Sequence, residues 1–254
     1  MMLYEAKTIK DYKLHSQNGE IGKVKEFYFD DRHWTIRYLV ADTGNWLTGR
    51  KVLISPRALI AVNKEQKDIV INLTKEQIEE SPSLDSDKPV SRQFEADYHI
   101  YYGWPLYNTG SYMWGDTPFL ALGDGWKNDP NKPHKTWDPD LFSTDDVIGY
   151  KTEALDGSVG CVEDFIIDDK TWAIRYLIID TQDWWPGKRI LVAPQWIKSV
   201  NWGDSTIFLN LARDPFKQLP EYSMESMLTR EYETILHQGF NRQGYWVEEQ
   251  NSKK

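Results

Sequence analysis

At 254 residues and 29.8 kDa, the chain is long enough for one large domain or two ordinary ones, and its core needs no metal or disulfide staple. A formal charge of −9 argues against a general nucleic-acid binder, which needs a clustered cationic face, and disfavours anionic membrane surfaces. Cys161 is the single cysteine, which excludes an intramolecular disulfide framework and a thiolate metal cluster.

The chain opens Met1-Met2-Leu3-Tyr4-Glu5-Ala6-Lys7, without the basic stretch and apolar run of a signal peptide. No segment approaches the roughly 20 apolar residues that cross a bilayer. The expectation is a cytoplasmic protein with no membrane span. Aromatics are the compositional outlier, at 14% with 12 Trp and 14 Tyr, and favour sheet-rich structure with aromatic contact surfaces.

In chain order, a first strand is predicted around Thr8 to Leu14, followed by a hairpin turn at Asn18-Gly19. Ile21 to Phe29 forms the next strand and ends in the polar turn Asp30-Asp31-Arg32-His33. In Trp34 to Asp42, Trp34, Ile36, Tyr38 and Val40 alternate with Thr35, Arg37, Leu39 and Ala41, the period of a pleated strand. A hairpin through Trp46-Leu47-Thr48-Gly49 returns along Lys51 to Ile54, and Pro56 ends that strand for want of an N–H. Leu59 to Asn63 and Asp68 to Leu73 add two more strands. This density of short strands predicts a small closed barrel. Thr74-Lys75-Glu76-Gln77 is a capping box that opens a short helix stopping before Pro82, and a second helix starts near Ser91.

The pattern then repeats. Trp34-Thr35-Ile36-Arg37-Tyr38-Leu39 recurs 138 residues later as Trp172-Ala173-Ile174-Arg175-Tyr176-Leu177. The same ungapped offset pairs Gly19 with Gly157, Gly22 with Gly160, Asp30-Asp31 with Asp168-Asp169, and Asp42 with Asp180. It also pairs Trp46 with Trp184, Pro56 with Pro194, and His99 with His237. In the second copy Pro215 shortens the first helix, while Thr229 opens the second. Between the copies, Tyr101 to about Asp140 is rich in Gly, Pro and aromatics without a period, and reads as an ordered loop packed on the barrels. The expected fold is mainly β: barrel one with its short helix over 1–82, helix and connector over 83–140, barrel two over 141–220, and a C-terminal helix and tail over 221–254.

Gly22-x-Val24-x-x-Phe27-x-x-Asp30, then Trp34-x-Ile36-Arg37-Tyr38-Leu39-x-x-Asp42, then Gly49-x-x-x-Leu53-x-x-Pro56, resembles the PRC-barrel family, and each copy matches over its barrel. The resemblance implies two small PRC-type barrels. Such barrels act by binding protein surfaces in the photosynthetic reaction-centre H subunit and in the ribosome-maturation factors. It therefore implies protein binding, with an accessory role in a membrane electron-transport or photosynthetic complex, or ribosome-assembly docking, as alternatives.

No catalytic set stands out. Asp30-Asp31 and Asp168-Asp169 provide too few oxygens for a hard cation and read as turn formers. Arg37 with Asp42, and Arg175 with Asp180, repeat in both copies and read as structural pairs or strand-end hydrogen bonds. The histidines at 15, 33, 99, 134 and 237 lack metal-ligand spacing, and His99 and His237 are read as cationic helix-end caps. Cys161 stands where copy one has Lys23, a partly wet position. Candidate binding residues are the hairpin-tip Trp46, Trp184 and Trp185, with Tyr102 and Trp104. An enzyme or ligand site near Asp124, Asp129, His134 or Asp138 is the remaining alternative. The overall expectation is a non-enzymatic interaction or scaffold protein with a protein partner, no direct nucleic-acid contact, no cofactor, no metal, and room for a homo-oligomer.

Overall fold

Among the described residues, the strands form two seven-stranded sheets. The structure is a computed structural model describing residues 2–47, 51–82, 92–104, 141–181, 185–219, 221–223 and 228–247. Along the first sheet the strands run Val52–Ile54, Thr35–Asp42, Gly19–Asp30, Lys13–Ser16, Asp68–Ile71, Leu59–Asn63, and the second sheet repeats this order with the corresponding strands of the second copy. In the first, β2 (Lys13–Ser16), β3 (Gly19–Asp30), β4 (Thr35–Asp42), β5 (Val52–Ile54), β6 (Leu59–Asn63) and β7 (Asp68–Ile71) follow one another in sequence. β9 (Lys151–Ala154), β10 (Gly157–Asp168), β11 (Ile174–Asp180), β12 (Arg189–Val192), β13 (Ile197–Asn201) and β14 (Thr206–Leu209) repeat that order. The fold is mainly β, consistent with two small barrels.

Met1–Asp146 with Ile167–Ile174 make one compact unit, and Val147–Ile166 with Arg175–Lys254 make the other. In the first unit, β8 (Leu141–Ser143) pairs antiparallel with β3, setting Phe142 opposite Phe29. β8 thus carries the start of the second sequence copy onto the first sheet. Ser143 Oγ donates to the buried Glu26 carboxylate, which satisfies a charge the strand would otherwise strand in the core. The turn 167–174 joins the same unit: Ile36 N donates to Trp172 O at 2.8 Å and Ile174 N to Trp34 O at 2.7 Å.

One expectation is corrected. Residues 8–14 are not one strand: α1 (Ala6–Ile9) precedes β2, because a single helical turn buries Ala6 and Ile9 on one side. β4 alternates in sequence yet is buried on both faces through Ala41. α3 (Arg92–Tyr101) accounts for the second face, since Tyr98 packs edge-on against Tyr38 at 5.5 Å and its hydroxyl donates to Leu53 O.

The capping box opens α2 (Lys75–Glu79) as the sequence suggests: Thr74 Oγ1 accepts from Gln77 N at 3.3 Å and Gln77 Oε1 accepts from Thr74 N at 2.9 Å. Thr74→Ala should therefore cost about 1 kcal/mol in chemical denaturation. The second copy has a 3-10 helix at Asp214–Gln218 in that place, with Pro215 in its first turn. α5 (Arg230–Gly239) follows. Residues 105–140, including Asp124, Asp129, His134 and Asp138, lie outside the described residues.

Candidate functional site

The second unit holds a concentration of buried ionisable groups where α5 covers β11. Thr229 caps α5 by accepting from Tyr232 N at 3.3 Å. Glu233, Leu236 and His237, spaced three and four apart, share the face that is buried. Two of the three are ionisable, so the helix needs polar partners on the barrel side. β11 supplies Arg175 and Tyr176, and the chain after α5 turns back at Asn241 (φ 52°) to bring Gln243, Tyr245 and Trp246 over the same spot.

The four polar groups form one line. His237 Nδ1 faces Gln243 O at 3.0 Å, and His237 Nε2 lies 3.1 Å from Tyr176 Oη. Tyr176 Oη lies 2.9 Å from Glu233 Oε1, which also accepts from Tyr245 Oη at 2.8 Å. Arg230 Nη1 approaches Glu233 Oε2 at 3.0 Å, and the Arg175 guanidinium lies 3.9 Å from the Tyr245 ring centre. Trp196 and Trp246 close on the imidazole with ring centres at 5.0 and 5.1 Å. Tyr176 is 0% exposed, and Glu233 and His237 are 1% exposed.

Counting protons shows what the line requires. A carbonyl only accepts, so His237 Nδ1 must carry a hydrogen. Each of the four contacts needs one proton, and a neutral histidine with two tyrosines brings three. A fourth, on the carboxyl or on the imidazole, satisfies them all. Burial pushes Glu233 above its ordinary value against the pull of Tyr245, Arg230, Tyr176 and Arg175. Burial also lowers His237 to about 4, and raises Tyr176 and Tyr245 with help from the Glu233 charge. Burial thus works against charge on both Glu233 and His237, and the imidazole is neutral.

This corrects the reading of His237 as a cationic helix cap. It does sit near the end of α5, but the ring points into the core, where a charge is disfavoured. His99 is likewise 1% exposed, edge-on to Trp104 at 6.0 Å. The chemistry available to the cluster is to fasten a helix to a sheet, away from solvent.

Both sheets thus share a strand order, a left-handed tryptophan before the central strand (Trp34 φ 50°, Trp172 φ 56°), and a helix laid over the central tyrosine. Comparison with known families matches residues 2–78 to the PRC-barrel domain. Residues 2–78 are thus similar to a PRC barrel. The second sheet repeats its strand order beyond the matched residues. No curated protein matches the chain.

The remaining residues singled out in the sequence fall as follows. In the first unit, Trp46 is half-buried with Lys75 Nζ 5.4 Å over its ring. Tyr102 and Trp104 stack at 4.6 Å and pack against the cluster of Tyr38, Val40, Leu53, Tyr98 and Leu141. Arg37 is buried and pairs with Asp30 at 3.6 Å. Asp42 is exposed, and its carboxylate accepts from Gly44 N at 3.0 Å, a strand-end hydrogen bond. Asp30 and Asp168 each accept from the backbone of their own turn, from His33 N at 2.8 Å and from Lys170 N at 2.9 Å. In the second unit, Trp185 is half-buried with Lys188 Nζ 5.8 Å over its ring, and Trp184 lies outside the described residues. Asp180 is half-buried and sits opposite Arg189 in the strand register. Cys161 is half-buried.

Sequence reasoning missed Tyr176, Glu233 and Tyr245 as one cluster. The available signal was a Glu and a His four apart on an amphipathic helix, both facing inward, with an aromatic tail following.

Proposed function

We propose that this chain is a non-enzymatic, cytoplasmic protein-interaction module whose two sheets act as paired barrels. The observation that carries the reading is the PRC-barrel match at residues 2–78, a domain that suggests a protein-interaction module. The sealing of the titratable cluster supports the non-enzymatic part. General acid–base work needs a group within hydrogen-bond reach of substrate, and Tyr176, Glu233 and His237 spend their contacts on one another. The cluster then serves stability, by latching α5 to the sheet. Among the described residues no helix is long and apolar enough to cross a membrane.

Partner capture tests the reading. With the intact protein as bait, affinity capture from lysate is expected to recover a discrete partner in stoichiometric amounts, competed by excess untagged protein. Recovery of nothing above a heat-unfolded control removes the proposal.

A further inference from the structure

One groove in the first unit has the shape and charge of a peptide seat. β6 is the terminal strand of its sheet path and, among the described residues, pairs with β7 alone. A groove of about 380 Å³ runs along it, lined by Arg57, Leu59 to Val62, Asp169, Lys170 and Trp172. That volume suits a ligand of modest size. Its long side is four consecutive residues of one strand, the footprint of an extended chain lying parallel to that strand. The pairing of β6 with β7 shifts register between Leu59 and Ala61, and Ile60 at that shift is 63% exposed. An aliphatic side chain so placed is an anchor for an incoming apolar residue.

Charge selects the kind of peptide. Arg57 and Lys170 are both exposed at the groove. Asp169 is the acid of the lining, and its carboxylate accepts from Met2 N at 2.8 Å. Burial, and then the neighbouring Arg37 guanidinium, push Arg57 below its ordinary value. A carboxylate brought beside it would offset the Arg37 repulsion. The second copy has Gln195 where the first has Arg57, so this charge is peculiar to the first sheet.

We propose that the β6 groove docks an extended acidic peptide segment of a partner protein by strand addition, its carboxylates on Arg57 and Lys170 and an apolar side chain on Ile60. This rests on the protein-interaction reading and names the surface and the partner chemistry. Backbone pairing would supply affinity and the two cations the choice of sequence.

The test uses the full-length protein with end-blocked peptides of alternating Glu and Val, or Lys and Val, long enough to span β6 at roughly 3.3 Å per residue. The Glu/Val peptide is expected to bind in fluorescence anisotropy and to slow amide exchange at residues 59–63, and the Lys/Val peptide to do neither. Arg57→Glu with Lys170→Glu should weaken the acidic peptide at least tenfold and admit the basic one. Ile60→Glu, at an exposed site that leaves the fold intact, should also weaken binding at least tenfold. No slowing at 59–63, or equal binding by the charge-reversed protein, overturns the groove. If the charge-reversed bait still captures the wild-type partners, the groove fails while the interaction reading stands. If the Glu/Val peptide binds as expected and lysate capture recovers nothing, the groove stands and the broader reading fails.

Discussion

Gly160→Ala is expected to unfold much of the second sheet, and Gly22→Ala the first, each costing about 4 kcal/mol or more. Gly22 has φ 138° and Gly160 φ 152°, backbone that an L side chain rarely adopts. Such strain alone costs on the order of 1–3 kcal/mol. A methyl at Gly22 would also stand 2.0 Å from Asp42 O, and one at Gly160 1.9 Å from Asp180 O. Both obstacles are strand backbone inside the sheet, which cannot move aside as a flexible side chain could. Against a typical total of about 5–15 kcal/mol, the loss is a large share of stability. Gly44→Ala is the control: its φ is 58°, but a methyl there meets nothing within 4 Å, so it should cost only about 1 kcal/mol. Denaturant midpoints for the three variants decide it, and a Gly160→Ala protein as stable as Gly44→Ala would show that the close approach is wrong.

Tyr176→Phe is expected to cost about 2–4 kcal/mol, because one deleted hydroxyl leaves both Glu233 Oε1 and His237 Nε2 short of a buried partner. The pH dependence distinguishes this network from ordinary packing. Glu233 is faced by Arg175 and Tyr176 of β11, by Arg230 of its own helix, and by Tyr245 of the tail. Its folded pKa is raised, so the stability it contributes is fully present below the ordinary value of 4.5 and is lost as pH rises through the folded value. His237 runs the other way: lowered from 6.5 to about 4, it contributes stability above 6.5 that is lost as pH falls through about 4. Each can move stability by at most about 1.4 kcal/mol per pH unit. Glu233→Gln keeps the shape without the charge, so it should gain on the wild type as pH climbs above 4.5. His237→Gln should instead lose ground to the wild type between pH 4 and 6.5 and hold level above that. Urea titrations across this range measure both, and parallel stability curves for wild type and Glu233→Gln would mean that the carboxyl is ionised in the fold as it is outside.

Much of the barrel was legible because its signals are local. Asn18-Gly19, Thr74 with Gln77, and Pro56 each act within a few residues, and each lies where the sequence puts it, while the strand expected from Trp34 starts one residue later, at Thr35. The candidate site was less legible. His237 near a helix end reads as a cap until Gln243, Tyr176 and two tryptophans are seen around it, and those lie up to 61 residues away in sequence. The aromatic tips show the same limit, since the lysines over Trp46 and Trp185 come from a following helix in one case and a hairpin arm in the other.

The sequence by itself determined the duplication, the succession of short strands along each copy, and the repeated glycines, because periodicity and backbone conformation are written residue by residue. The tertiary structure alone decided what covers the second face of β4, which copy supplies β8 to the first sheet, and whether His237 carries a charge. A strand's alternation records that a face is apolar, without naming the element laid on it. A side chain's protonation is set by burial and by neighbours that only folding brings together.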